Sequence, residues 1–298
     1  MLREAFTVAR MAQMTRRNVL RGAALAATAS VLPLPSFAAG KKAPIKLGQC
    51  SYSFRNFKPE QMIDMLHQLG LRDLNIKDQF HLPMQPADTV AQRADAYRKA
   101  GINLTANGTL YFKTDTDDAV RPTFEYLKAA KINLFVGSPS HEALARVARF
   151  CTEYDIRMAI HNHGPEDKEW PSPFDIQKHI EPLDHRVGYC IDFGHTLRAG
   201  TDPVEAVNMA GKRLYDCHIK DLADPHSRES QVAVGEGVMP IQKIFQALIN
   251  IKYPGFVDLE YEIKADDPMP GVRKSHEYMR KVLRDMGYDV PPLAPYTA

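Results

Sequence analysis

Two short stretches of this chain set metal-binding side chains at regular spacing. Residues 189–195 read YCIDFGH and residues 214–221 read LYDCHIKD, with a helix-sized gap between them. Each has the character of a β-strand, whose side chains alternate between two faces. Cys190 and Asp192 then share one face of the first strand, and Asp216, His218 and Lys220 share one face of the second. Asp192 and His218 fall near the strand ends, and His195 lies in the loop three residues past Asp192. A carboxylate and an imidazole at neighbouring strand ends are donors suited to a divalent cation. The other donors have to come from elsewhere in the chain.

From Lys46 onward, short β-type runs alternate with amphipathic helical stretches. The strand candidates are Ile45–Tyr52, Arg72–Lys77, Ile102–Asn107, Ile132–Val136, Arg157–Asn162, Val187–Asp192, Leu214–Lys220 and Phe256–Glu262. Helix starts carry capping residues, as at Ser140 before His141 and Asp202 before Pro203, and glycine closes others, as at Gly70 and Gly101. Eight such βα units in about 250 residues predict an α/β fold, a single-domain (β/α)8 TIM barrel over residues 40–290. Residues 291–298 read as a loose C-terminal tail. An open doubly wound sheet would want a glycine-rich loop after its first strand, and Ser51-Tyr52-Ser53-Phe54-Arg55 is not one.

A barrel of this kind carries its chemistry at the C-terminal ends of its strands. On the fifth run, His161 and His163 share a face; on the eighth, Asp258, Glu260 and Glu262 do. Strands five to eight therefore end in His161, Asp192, His218 and Glu260, and with neighbours about 5 Å apart these tips can surround one ion. Asn75, Lys77 and Lys220 are polar groups that could face a substrate. Plainer roles compete: Asp192 could cap the following turn, and Glu260 could pair with Lys220. His67, His141, His179 and His276 sit in helical stretches and read as surface residues, while His81 lies near a strand end. Cys50, Cys190 and Cys217 read as core, with no CxxC pair.

The first forty residues have a different character. Thr15-Arg16-Arg17-Asn18-Val19-Leu20-Arg21 is a twin-arginine pattern, followed by a weakly apolar run and by Ser36-Phe37-Ala38 at a cleavage-site spacing. Residues 1–39 are thus expected to be a twin-arginine signal peptide, and the protein to be exported to the periplasm without stable membrane insertion. That segment holds five arginines against one glutamate, so the overall charge of +2 leaves about −2 for the remainder. No basic surface for nucleic acid is implied.

The chain resembles the xylose-isomerase-like TIM-barrel superfamily, the sugar phosphate isomerase/epimerase family, over essentially all of residues 45–288. The motifs that carry the resemblance are GQCSYSFR at 48–55, LNIKDQFHLP at 74–83, AIHNHGPED at 159–167, YCIDFGH at 189–195, CHIKD at 217–221, VGEGVMPI at 234–241 and VDLEYE at 257–262. What the resemblance implies is one divalent metal ion, Mn, Mg, Zn or Co, on Glu, Asp, His and Glu ligands. Asp192, His218 and Glu260 match the last three, whereas His161-Asn162 replaces the usual Glu-Asn. That Glu is also a proton-transfer base in the epimerases, so His161 stands as ligand or base, with Glu260 as the second catalytic group. Glu166 could also swing in from its loop. His195 matches a substrate-binding residue, and Lys220, Lys77 and His163 complete the expected substrate contacts.

The implied chemistry is proton abstraction next to a carbonyl of a small carbohydrate. Epimerase, isomerase and a lyase acting on 3-keto-glycosides share that first step, and a sugar-binding barrel without catalysis is the rival from another class. The family's DNA-repair endonucleases would need a multi-zinc cluster and a basic groove, and neither is evident. Assembly as a homo-oligomer is left open.

Overall fold

The computed structural model describes residues 41–293 and 295. The expected signal peptide lies outside the described residues, as do Ala294 and residues 296–298 of the expected tail. Eight parallel strands close into a barrel: β1 Lys46–Cys50, β2 Asp73–Ile76, β3 Asn103–Phe112, β4 Leu134–Pro139, β5 Arg157–His161, β6 Val187–Asp192, β7 Leu214–Ile219 and β8 Phe256–Leu259. β8 pairs with β7 on one side and β1 on the other, so the sheet has no open edge.

Helices between the strands bury an apolar stripe on the outer face of the barrel. In Asp117–Ala129, Val120, Phe124 and Leu127 recur at helical spacing and all three are buried. Local signals set the ends. Ser140 Oγ accepts a hydrogen bond from Ala143 N at 3.2 Å and caps His141–Tyr154, which stops where Asp155 turns left-handed with φ 54°. Asp202 caps Pro203–Ala210 in the same way, through Val204 N at 2.7 Å. Inside the barrel, Ala106, Leu134, Val136, Ala159 and Cys190 form a small apolar cluster. Polar side chains replace it toward the C-terminal ends of the strands.

Three departures from the sequence expectations bear on the site. β3 runs on to Phe112, well past Asn107, and it does so through Gly108, where a Cβ would lie 2.3 Å from the Val136 carbonyl. β8 ends at Leu259 rather than Glu262. Gln231, on a short antiparallel hairpin of Asp221–Leu222 with Gln231–Val232, takes over there: its Nε2 donates to Glu260 O (2.7 Å) and its Oε1 accepts from Glu262 N (2.9 Å). The expected loop after β6 is a short helix, Phe193–Arg198.

His276 is not a surface residue. It is fully buried, and its Nε2 lies 3.0 Å from Gln49 Oε1, because its helix turns that face toward the barrel wall. Leu293 of the expected loose tail is buried, and Pro291 O accepts from Arg280 Nη1 at 2.8 Å. Among the described residues no helix is long and apolar enough to cross a membrane.

Candidate functional site

The strand register brings the four tips together. Asp192 pairs with His218, His218 with Asp258, and His161 with Cys190, so the next inward residues up the ladder converge on the barrel axis. His161, Asp192, His218 and Glu260 are all buried, and each offers one ligand atom within 4.8 Å of the others. His161 Nε2 lies 3.0 Å from His218 Nδ1 and 3.6 Å from Asp192 Oδ2, and His218 Nδ1 lies 3.4 Å from Glu260 Oε2. Ligands sharing an ion at about 2.1 Å each stand roughly 3 to 3.5 Å apart, so the spacing fits one small cation.

Second contacts hold these groups in place. Asp192 divides its two oxygens: Oδ1 accepts from His195 N at 2.8 Å, capping the short helix, and Oδ2 faces the cluster. Asn162 grips the Asp192 backbone, its Oδ1 accepting from Asp192 N (3.0 Å) while its Nδ2 donates to Thr196 Oγ1 (3.1 Å). Asn75 Nδ2 lies 2.9 Å from Asp216 Oδ2 and 3.2 Å from His218 Nε2, which orients that imidazole from below.

Lys220 stands elsewhere than its expected place against a substrate. Its ammonium donates to Glu260 Oε2 and Glu262 Oε1, both at 3.0 Å, and meets Asp192 Oδ2 at 3.0 Å along a line too bent for a hydrogen bond. An ammonium has three donors, and three carboxylates surround this one. Lys220 does not line the cavity above; it is a buried counter-charge.

The electrostatics follow. Burial pushes the Glu260 carboxyl up, but Lys220 and then His218 outweigh it and hold the group well below the usual carboxylate range. Burial likewise opposes, and His195 and Lys220 reverse, the shift of Asp192, which is also lowered. Burial and the neighbouring imidazoles His163 and His218 push His161 well down, so it is neutral at pH 7. Burial lowers His218, but Glu260 and then Asp216 outweigh it and raise that imidazole, while burial raises the Glu262 carboxyl. The two carboxylates held ionised at the strand tips, Asp192 and Glu260, favour a bound cation. The donor set of two imidazoles and two carboxylates suits zinc and manganese alike.

Above the cluster lies a cavity of about 690 Å³. Its wall includes His161, Glu260, His163, His195, Lys77, Tyr111, Arg55 and Arg228, so four of the expected site histidines and acids and one expected lysine reach it. Lys77 donates to Thr109 O and lies 3.2 Å from Asp78 Oδ1, with its ammonium 5.5 Å from the centre of the Tyr111 ring. Glu166 does not swing over the tips; it is paired with Arg198 at the rim.

Sequence reading overlooked three residues. Asp167 Oδ2 lies 3.1 Å from His163 Nδ1, off the line of the N–H bond. Burial raises the Asp167 carboxyl, yet the adjacent His163 imidazole and hydrogen bonds from the Glu169 and Trp170 amides bring it down to about 2. Arg198 Nη1 lies 3.2 Å from His195 Nδ1, and burial lowers that imidazole to about 4. Asp221 gathers the amides of Leu222, Gly235, Gly237 and Met239 at 2.9–3.1 Å, anchoring the loop beyond the hairpin. The only sequence signal for the first two is spacing: Asp167 follows His163 by four and Arg198 follows His195 by three, the reach of one helical turn.

Comparison with known proteins places this arrangement. The family model for the xylose isomerase-like TIM barrel matches residues 140–282, which contain β5 to β8 and all four tips. The inosose dehydratase of Geobacillus kaustophilus (strain HTA426) is 24% identical over 163 residues, 49% of this chain and 52% of that protein. The chain thus spans about half the length of the curated relatives it matches. A solved structure of the IolI protein with a bound zinc atom superposes with a TM-score of 0.70 at 16% identity, covering 83% of this chain and 100% of that one. The apo structure of 3-keto-D-glucoside 4-epimerase YcjR from E. coli gives 0.64 at 16% identity, covering 80% and 99%. The fold is the (β/α)8 barrel of these solved structures.

Proposed function

We propose that this xylose isomerase-like barrel is a divalent-metal enzyme that removes a proton from the carbon next to a carbonyl of a small carbohydrate. The observation that carries the reading is the convergence of His161, Asp192, His218 and Glu260 within 4.8 Å, beneath a cavity of about 690 Å³. Those four residues would hold the ion, which supplies Lewis acidity toward the oxygens of the sugar. His161 is a ligand in this reading, because its Nε2 points at His218 Nδ1 and is held there by burial. The base is His163, whose Nδ1 faces Asp167 and whose other nitrogen is turned to the cavity. His195 and Lys77 contact the substrate, and Lys220 keeps Asp192 and Glu260 ionised.

Inosose dehydratase and a 3-keto-glucoside epimerase among the similar proteins support a carbonyl-bearing carbohydrate as substrate class. Replacement of the first carboxylate ligand by His161 removes one of the two acids a two-base epimerase uses, which favours a lyase or hydratase on 3-keto-glycosides over an epimerase. Export through the twin-arginine route to the periplasm completes the proposal and rests on the N-terminal motif alone.

The test is solvent-deuterium exchange, read by mass spectrometry, into ketoses and 3-keto-glycosides incubated with zinc- or manganese-loaded protein. Deuterium in the intact sugar, or release of an aglycone, is the expected result, and the second outcome assigns the lyase. Stoichiometric metal with neither signal across the panel would make the barrel a binder and end the enzymatic reading.

A further inference from the structure

His163 and His195 face the same cavity with ring centroids 6.1 Å apart, yet their outer nitrogens meet opposite partners. His163 Nδ1 sits 3.1 Å from Asp167 Oδ2. The contact lies off the N–H line, yet a carboxylate repels a lone pair at that distance, so Nδ1 carries the proton and Nε2, 3.5 Å from the Tyr111 hydroxyl, is left with a lone pair. His195 Nδ1 sits 3.2 Å from Arg198 Nη1. A guanidinium only donates and does not lose its proton, so here Nδ1 holds the lone pair and Nε2 carries the hydrogen. From these contacts we infer that the two histidines are fixed in opposite tautomers, His163 presenting a base and His195 a hydrogen-bond donor, with Asp167 and Arg198 as the positioning residues.

The surroundings are built for this. Arg198 meets His195 through Nη1 and donates through Nη2 to Glu166 Oε1, which fixes the guanidinium. Gly164 has φ +89°, and a Cβ there would come 3.0 Å from Arg198 Nη1, 3.3 Å from His195 Nδ1 and 3.4 Å from Glu166 Oε2. A side chain there would strain the backbone and press on all three groups. His195 Nε2 has no protein partner among the described residues, so its hydrogen is available to the cavity. The backbone N–H of His195 is tied to Asp192 Oδ1, which prevents the ring from drifting off.

This deepens the proton-abstraction reading and rests on it for its chemical use. His163 Nε2 takes the proton from carbon, the C–H electron pair becomes a C=C bond, and the carbonyl π pair moves onto oxygen. That oxygen accepts a hydrogen bond from His195 Nε2, which keeps its proton; nothing is oxidised or reduced. A neutral imidazole donor stabilises the developing charge without supplying a competing acid. The pair therefore provides one base rather than two, and proton return or loss occurs on the face of His163.

Histidine-selective 15N labelling and long-range 1H–15N correlation spectra of the full zinc-loaded chain test the inference, with His163→Gln and His195→Gln giving the assignments. The expected spectrum has a pyridine-type Nε2 for His163 and a pyridine-type Nδ1 for His195. Arg198→Met is expected to abolish the His195 pattern and to slow deuterium exchange about a hundredfold, while Arg198→Lys keeps both; Asp167→Asn should reverse the His163 tautomer. Equal tautomers in the native protein, or an Arg198→Met spectrum unchanged at His195, would overturn it. The spectra need no sugar, so a native pattern of opposite tautomers with no deuterium uptake would retire the substrate reading and leave this one standing.

Discussion

Four inward acids at β6 to β8 form two pairs, Asp216 with Asp258 below and Asp192 with Glu260 above, and the pairs behave in opposite ways. In the lower layer, burial and then the mutual charge of the pair raise Asp258 far above its ordinary range, and burial lifts Asp216 to about 6. Both Asp258 oxygens lack a donor unless the two carboxyls share a proton. In the upper layer, Asp192 and Glu260 are as buried but are lowered instead. The difference is Lys220, whose Nζ stands 3.0 Å from each of them. Burial alone keeps a carboxyl protonated; burial beside a cation makes it a permanently ionised ligand. The chain uses the first as barrel filling and the second as a site.

The largest effect is expected on removing that cation. Lys220→Met leaves two buried acids, Asp192 and Glu260, uncompensated, and we expect a loss of about 3–5 kcal/mol in urea unfolding of the metal-free protein, largely recovered on adding zinc. An unchanged urea midpoint would mean that the two layers do not differ for the reason given. Next come the ligands: Asp192→Ala and Glu260→Ala should each weaken zinc binding at least a hundredfold and abolish exchange, since ligand loss should exceed the 10–100-fold cost of losing an outer partner. Full metal content in either variant, measured by elemental analysis, contradicts the assignment.

The smallest effect concerns the lower layer. A carboxyl raised in the folded state binds its proton more tightly there than in the unfolded chain. Its cost is therefore absent at low pH and grows as pH climbs from near 4, the unfolded value, through about 6, the Asp216 value. Asp258→Asn gives Asp216 a fixed donor, so the variant should melt about 2–4 °C higher at pH 7 and no higher at pH 4. A lower melting temperature at pH 7 would show that the pair is held by something other than a shared proton.

Much of the frame was legible in the residues. The eight strands, their parity and the inward set His161, Asp192, His218 and Glu260 followed from alternation and from the rule that barrel sites lie at strand ends. The plainer readings of two of them hold as well: Asp192 caps a helix with one oxygen, and Glu260 pairs with Lys220. A carboxylate has two oxygens, so capping and an inward-facing oxygen do not exclude each other. What was misread depended on which way a helix or loop turned. His276 reads as a surface residue from its place in a helical stretch, yet its own face packs on Gln49. Lys220 reads as a substrate contact in the sequence because the carboxylates that surround its ammonium come from two other segments, Asp192 from one and Glu260 with Glu262 from the other.

By itself the sequence determined the fold class and the four tips, because strand periodicity is local and the tips are defined by where each run stops. Tertiary structure alone decided the ionisation of each acid and the tautomer inferred for each histidine. Those depend on which charge lies within 3–4 Å: Lys220 reaches Asp192 and Glu260 only once the barrel has closed, and the folded loops set which nitrogen of His163 and His195 faces its near neighbour Asp167 or Arg198.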